Sequence, residues 1–427
     1  MNEPIFIARQ DTLEQEILPA HWLAQYKLFG EESYTFQDKG IWKKLCMSSA
    51  AANDRDIHAE ALEEMLTTFS AEHTGKWMLL VYGTDAAALE GLATMAAIAA
   101  NGTAMGAIAD NALLMHAIAN SETAMQRIAN SQTAMQRVAN NRGAMDAIGR
   151  SRIARDAVQA SPYYNSCIKE NDMAIAKLVV SFANLASAGY SGMAGVAADA
   201  TAMNAVAASS TAMNAVAASS VARNAISASP YYDAKIKEND MAIAKLVVGF
   251  ANLESARYSG CAGMAADSTA MTAVAASSTA MTAVAASGVA LKAIAQAYKK
   301  TANMLQFLKA VNASDTLVKR IYSTLTNATA LFGAAQLGSQ DSVENANSWA
   351  TTSAAPNAFL ACACGYYGSS SDSVSVTYNG TVIAQKKTGT KQPGSVASTN
   401  VNAITMAPST FTENGDGYLA VQKFTAK

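Results

Sequence analysis

From residue 91 the chain repeats a ten-residue phrase, and the number ten decides what it can become. The phrase reads TAM-QRIAN or TAM-QRVAN at its clearest, with Met at 95, 105, 115, 125, 135 and 145. Three residues after each Met stands Ile98, Ile108, Ile118, Ile128, Val138 or Ile148, and a degenerate copy follows with Arg155 and Val158. Ten residues at about 100° each rotate a helix by about 1000°, so on one continuous helix the Met/Ile pair would drift about 80° per repeat and form no common apolar face. A coiled coil needs a seven- or eleven-residue period, and strands need a period of two. The remaining solution is one short helix per repeat, broken at junctions such as Asn120-Ser121, Asn130-Ser131, Ser209-Ser210 and Ser277-Ser278. Ser is expected to cap the next helix, and Asn to close the preceding one in the left-handed conformation. Helices of two turns are unstable alone because nucleation is costly. They are expected to stack into a solenoid or rod with Met and Ile/Val inside and the junctions at the corners.

A longer period encloses the short one. Residues 161–228 align with residues 229–296 at an offset of 68, with 52 of 68 positions identical. Each unit opens SPYY and continues KENDMAIAKLVV, FANL and YSG before its decapeptides resume at Met203, Met213 and Arg223, or Met271, Met281 and Leu291. Close tandem duplication suits an element that sets length better than it suits an active site.

The flanks read differently. Residues 1–90 hold Trp22, Trp42 and Trp77, three of the four tryptophans, with 15 acidic against 7 basic side chains. Aromatic anchors within a polar surround are what protein interfaces use, so this region is read as an anchoring head and those tryptophans as assembly-interface candidates. Residues 91–160 are decapeptides, 161–228 and 229–296 the two long units, and 297–336 closing helices, with Ser314 as a predicted N-cap. Residues 337–356 read as a linker. From 357 a small antiparallel β domain is expected, because SVSVTYNGTVIAQK alternates on both sides of Asn379-Gly380. The fold class is thus mainly α, a decapeptide-repeat solenoid or rod with an N-terminal mixed head and a C-terminal β domain.

Net charge is −2, which gives no basic excess for nucleic-acid binding, and neither an export signal nor a membrane span is read. Phosphate-loop, dinucleotide, zinc-protease and hydrolase motifs do not occur. Regular Met could be a thioether metal ladder, but in alanine helices Met is far more often core filler. Cys362-Ala-Cys364 lacks the spacer of a zinc pair, and no cofactor or metal is expected. Asp54, His58 and Glu60 are read as a solvated helix start, the repeated Lys-Glu-Asn-Asp runs at 169–172 and 237–240 as helix-start charges, and the paired tyrosines after each Ser-Pro as packing corners. TENGDG near residue 413 is read as a turn. Tyr366, Tyr367, Tyr378 and Asn379, among Ser/Thr/Gly/Asn-rich loops, are the candidates for contact with a receptor or ligand.

TAMNAVAASSTAMNAVAASS (Thr201 to Ser220) and TAMTAVAASSTAMTAVAAS (Thr269 to Ser287) resemble the alanine-rich decapeptides of tail-fibre and other appendage proteins of tailed bacteriophages. The resemblance covers roughly residues 91–296 and implies a non-enzymatic virion protein assembled in the host cytoplasm. On that reading the partners are other virion proteins, a host surface receptor or glycan, and further copies of the chain, with a trimer as the leading expectation. A bacterial surface adhesin and a glycan-degrading tip enzyme are the competing readings.

Overall fold

The computed structural model describes residues 55–67, 74–75, 78, 84, 86–89, 91–297, 301–332, 347–351, 358–366, 372–388, 401–406, 409–414 and 417–425. Two compact units divide the chain, Met1–Val196 and Ala197–Lys427. The first contains α1 (Arg55–Thr67), α2 (Ala86–Leu89), α3 (Met95–Ala100), α4 (Gly102–Asp110), α5 (Ala112–Ala119), α6 (Glu122–Ala129), α7 (Gln132–Ala139), α8 (Arg142–Arg150), α9 (Arg152–Ala160), the π-helical turn π1 (Tyr164–Ile168) and α10 (Asp172–Phe182), and α11 (Met193–Ala197) ends at the division. In the second are α12 (Ala200–Ala208), α13 (Ser210–Ala218), α14 (Ser220–Ser227), π2 (Asp233–Lys237), α15 (Asp240–Phe250), α16 (Cys261–Ala266), α17 (Ser268–Ala276), α18 (Ser278–Ala286), α19 (Gly288–Gln296), α20 (Thr301–Asn312) and α21 (Asp315–Thr324). The protein is therefore mainly helical, with one short helix per decapeptide.

Each junction turns the chain sharply. Between α17 and α18 the axis bends by 103°. After three such turns a helix lies over its predecessor: α6 packs on α3, α7 on α4, α8 on α5 and α9 on α6, and in the second unit α15 packs on α13 and α18 on α15. Every Met and Ile/Val of the clear repeats points inward, with Met105, Ile108, Met115, Ile118, Met125, Ile128, Met135 and Val138 all buried. The alanines before Met105, Met125 and Met135 are buried too, which lets adjacent helices approach closely.

Many junctions differ from expectation in one respect. Asn120 and Asn130 have φ −103° and −90°, not left-handed values. At Asn101, Ser151, Ser209 and Ser277 a single extended residue ends one helix and caps the next, so no left-handed residue is needed. Left-handed Asn appears instead at Asn184 and Asn252 (φ 58° and 57°), the FANL positions. There Leu185 N donates to Val180 O and Leu253 N to Val248 O, both at 2.9 Å, the bond that closes a Schellman C-terminus.

The second unit ends in two four-stranded antiparallel sheets, ordered β1-β8-β3-β6 and β2-β7-β4-β5. The strands are β1 (Thr326–Phe332), β2 (Asn347–Thr351), β3 (Phe359–Tyr366), β4 (Asp372–Tyr378), β5 (Thr381–Thr388), β6 (Ala403–Met406), β7 (Ser409–Asn414) and β8 (Gly417–Thr425). The β domain begins at 326, not 357: β1 lies in the range assigned to closing helices and β2 in the range assigned to a linker. Nor is it a detached tip. One buried cluster runs from Ile243 through Phe307 and Ile321 to Phe359 and Phe424, and Asn312 donates to Ile404 O (2.7 Å) while accepting from Ile404 N (2.9 Å). Ser314 caps α21 as predicted, accepting from Leu317 N.

Candidate functional site

The corner residues do two jobs. Ser151 Oγ accepts from Ala154 N, capping α9, and donates to Ala119 O, 32 residues back, at 2.6 Å. Ser131 pairs in the same way with Ala134 N and Ala99 O. Ser161 and Ser229 carry the same staple into the duplicated units, to Ala129 O and Ala197 O. Along another corner the cap is Asn. Asn141 Oδ1 accepts from Ala144 N while its Nδ2 donates to Asp110 Oδ1 (2.7 Å), and Asn171 accepts from Ala174 N while donating to Asn140 Oδ1 (3.0 Å). Ser reaches a neighbouring carbonyl and Asn141 and Asn171 the longer way to a side chain, whereas Asn239 donates to Ala207 O (3.4 Å).

Inside the duplicated units stand two lysines that AIAKLVV concealed. Lys177 is 0% exposed, donates to Asp146 Oδ1 (2.5 Å) and Ser187 O (3.1 Å), and shares Asp146 with the Ser187 hydroxyl (2.7 Å). Lys245 is 1% exposed and makes the equivalent bonds to Asn214 Oδ1 (2.7 Å) and Ser255 O (3.0 Å). The second copy has an amide where the first has a carboxylate, so Lys245 has no anionic partner in that triad, and burial pushes its ammonium below the usual lysine range.

An open cleft of about 750 Å³ lies on the face built from α4, α7 and π1. It is lined by Gly106 and Ala109 of α4, by Thr133, Gln136 and Arg137 of α7, which packs against both α4 and π1, and by Ser166 and Cys167 of π1 with Glu170. The Asn corner (Asp110, Asn140, Asn141, Asn171) forms one end. Thr133, Gln136 and Arg137 share a helix face because they stand three and four residues apart.

Of the Lys-Glu-Asn-Asp runs, Asn and Asp stand at the helix starts, as read, whereas Glu238 reaches the start of α19, accepting from Gly288 N (3.1 Å) and Val289 N (3.2 Å). Asn171 and Asn239 cap α10 and α15, and the following aspartates accept from Met193 N and Cys261 N at 2.9 Å. Those carboxylates press on Gly192 and Gly260, where any Cβ would overlap Asp172 or Asp240. The paired tyrosines pack at corners: burial, with Glu170 nearby, raises Tyr164 to about 12, and burial likewise raises Tyr232 to about 12.

Other candidates change. Tyr378 is 2% exposed, its phenol pushed up by burial, so its ring does not face a partner. The alternation that made it a strand residue also turns it inward. Asn379 is exposed at the hairpin turn with φ 47°, beside Gly380 at φ 76°. Tyr366 ends β3 opposite Gly417, and Tyr367 lies outside the described residues. Trp22, Trp42 and Trp77 also lie outside them. His58 is buried inside α1 rather than solvated, while Glu60 is exposed; Asp54 is outside the described residues. Cys362 is buried opposite Ala403, and no group of three or more His, Cys, Asp or Glu suited to a metal occurs among the described residues. Asn414 ends β7 and Gly417 begins β8, so TENGDG carries the chain from one sheet to the other. Among the described residues no single helix is long and apolar enough to cross a membrane.

The cleft and the lysine triads escaped the sequence reading because their members lie 31 or more residues apart. The usable signals were departures from the repeat: Gly106-Ala107 where α6 and α7 carry Gln-Arg, and a lysine inside an apolar run. The chain matches no protein-family model, and no curated protein matches it in sequence.

Proposed function

We propose that the chain is a non-enzymatic structural protein of a tailed-bacteriophage particle, a tail fibre or a collar, baseplate or tail-tip component. Its stacked short helices set a length, and its β domain meets a partner. One observation carries this reading. The groups kept between the duplicated units include those that fasten helix to helix: Ser161 and Ser229, Asn171 and Asn239, Lys177 and Lys245, Ser187 and Ser255, Gly192 and Gly260. Duplication has multiplied stacking interactions, as a length-setting element requires. Self-association, with a trimer expected, follows from the large surface of a chain built from thin coils.

The proposal places the head, residues 1–90, at the docking end and the β domain outward. A head deletion is best ended at residue 54, because Glu63 of α1 accepts from Thr123 N (3.1 Å) and from the Ser121 and Thr123 hydroxyls at the start of α6. A cut at 357 would leave β1 and β2 without their partners β8 and β7. Antibody raised against the full chain is expected to decorate purified particles in electron micrographs, and particles lacking residues 1–54 of the chain to lose the label. Its absence from particles, with recovery in a bacterial outer-surface fraction, would replace this reading with the adhesin. Light scattering that gives a monomer mass at micromolar concentration would remove the trimer.

A further inference from the structure

We propose that the cleft between α4, α7 and π1 is a binding site for a neutral saccharide of one or two rings, a proposal independent of the particle assignment. The repeats themselves show that the cleft is a local departure. Gln126-Arg127 and Gln136-Arg137 occupy the outward positions of α6 and α7, but α4 has Gly106-Ala107 there, and a Cβ at Gly106 would meet nothing within 4 Å. On the α4 side the cleft lacks the two long side chains that α6 and α7 carry at the same repeat positions. The duplicated unit supplies the comparison: Lys235 of π2 replaces Cys167 and donates to Asn204 Oδ1 (3.2 Å) on α12, while Ala205 replaces Arg137. One copy bridges π2 to α12; the other leaves that space empty and adds a guanidinium.

The lining selects the ligand. Asp110 and Glu170 present carboxylate oxygens, Arg137 a guanidinium, and Gln136, Asn140 and Asn171 amides. Sugar hydroxyls donate and accept at once, and adjacent hydroxyls match the paired oxygens of a carboxylate or the paired N–H groups of Arg. Two carboxylates against one guanidinium oppose a phosphate or sulfate. The corner is also preset, since Asn141 holds Asp110 at 2.7 Å and Asn171 holds Asn140 at 3.0 Å, so little ordering remains for binding. About 750 Å³ falls within the range of small-ligand clefts and accommodates one or two pyranose rings.

The test uses the full chain in saturation-transfer NMR with neutral hexoses, N-acetylhexosamines and their disaccharides, and with inorganic phosphate as the competing probe. At least one saccharide is expected to receive saturation. Three variants copy states found elsewhere in the repeats: Gly106→Gln, Cys167→Lys and Arg137→Ala. The first two, which fill the cleft, are expected to weaken binding at least about tenfold, and the third by about tenfold through lost hydrogen bonds. Gly106→Gln is expected to melt at or slightly above the parent's temperature, because its side chain enters open space and replaces a helix-interior glycine. No transfer to any saccharide, transfer to phosphate alone, or undiminished binding in both filled variants with melting no lower than the parent's would each overturn the proposal.

Discussion

Where α8 meets α10 there is room for one small side chain, and the two sites of this kind fill it from opposite sides. At the first site Gly149, which precedes the duplicated units, faces Ser181; at the second, where α13 meets α15, Ala217 faces Gly249. A Cβ on Gly149 would overlap Ser181 Oγ and sit 3.2 Å from Ser187 Oγ, and one on Gly249 would lie 2.8 Å from Ala217 Cα. Gly149→Ala is therefore expected to add roughly 1–3 kcal/mol of overpacking, reduced by roughly 0.5–1 kcal/mol because alanine favours a helix interior. Ser181→Gly alone costs about 0.5 kcal/mol through helix propensity. The double variant recreates the second site's pairing. It exchanges one helix-interior glycine for another and removes the overlap, so its stability is expected to return to within about 0.5 kcal/mol of the parent. Simple addition would predict a loss of about 0.5–3 kcal/mol, leaving an interaction energy of about 0.5–3 kcal/mol. Hydrogen exchange of the α8 and α10 amides reads this opening locally, which suits a chain in which one global transition is not assured. Parental protection in Gly149→Ala, or a double variant as weak as the sum of the singles, would refute the steric account.

Ser151→Ala removes a cap and a staple, and is expected to cost about 2 kcal/mol, seen as faster amide exchange in α9 than in α6. Asn214→Asp gives Lys245 the partner that Asp146 gives Lys177, and is expected to stabilise the second unit by about 1–2 kcal/mol at neutral pH in urea titrations. Its pH signature follows from the parent's lowered lysine pKa: the cost of burying the ammonium is in full force below the folded pKa. It is relieved as pH rises from there toward 10.5, where the unfolded chain holds more protons. Melting curves across the alkaline range are therefore expected to narrow the variant's advantage, and a constant advantage would count against the assignment. Gly380→Ala places a side chain at φ 76° and is expected to cost about 1–2 kcal/mol, measured as lost protection in β4 and β5.

The sequence disclosed what is periodic and hid what joins distant positions. Met and Ile/Val, spaced three apart, named their own buried face, and the Ser junctions announced the caps. The second bond each cap makes, to a carbonyl 32 residues earlier, depends on three helices completing a coil, and no ten-residue window contains it. Asn was expected to turn left-handed at the decapeptide junctions; it does so at Asn184 and Asn252, where the longer apolar helices end in a Schellman bond. The start of the β domain was misplaced because TNATALF has little alternation, and its partner strand begins only at Gly417. Tyr378 was counted as surface from its loop-like neighbours, although its strand parity sends it inward.

Two segments that agree at 52 of 68 positions face a hazard during synthesis, because either can dock where the other belongs. The exchanged glycine gives the nascent chain a means of telling them apart. A helix ending in Gly149 set against Gly249 would leave a void, and one ending in Ala217 set against Ser181 would collide. Only the two correct pairings fill the space without excess. A difference of one or two atoms is thus expected to make mispaired stacks less stable than correct ones, a preference that would act while the chain is still folding.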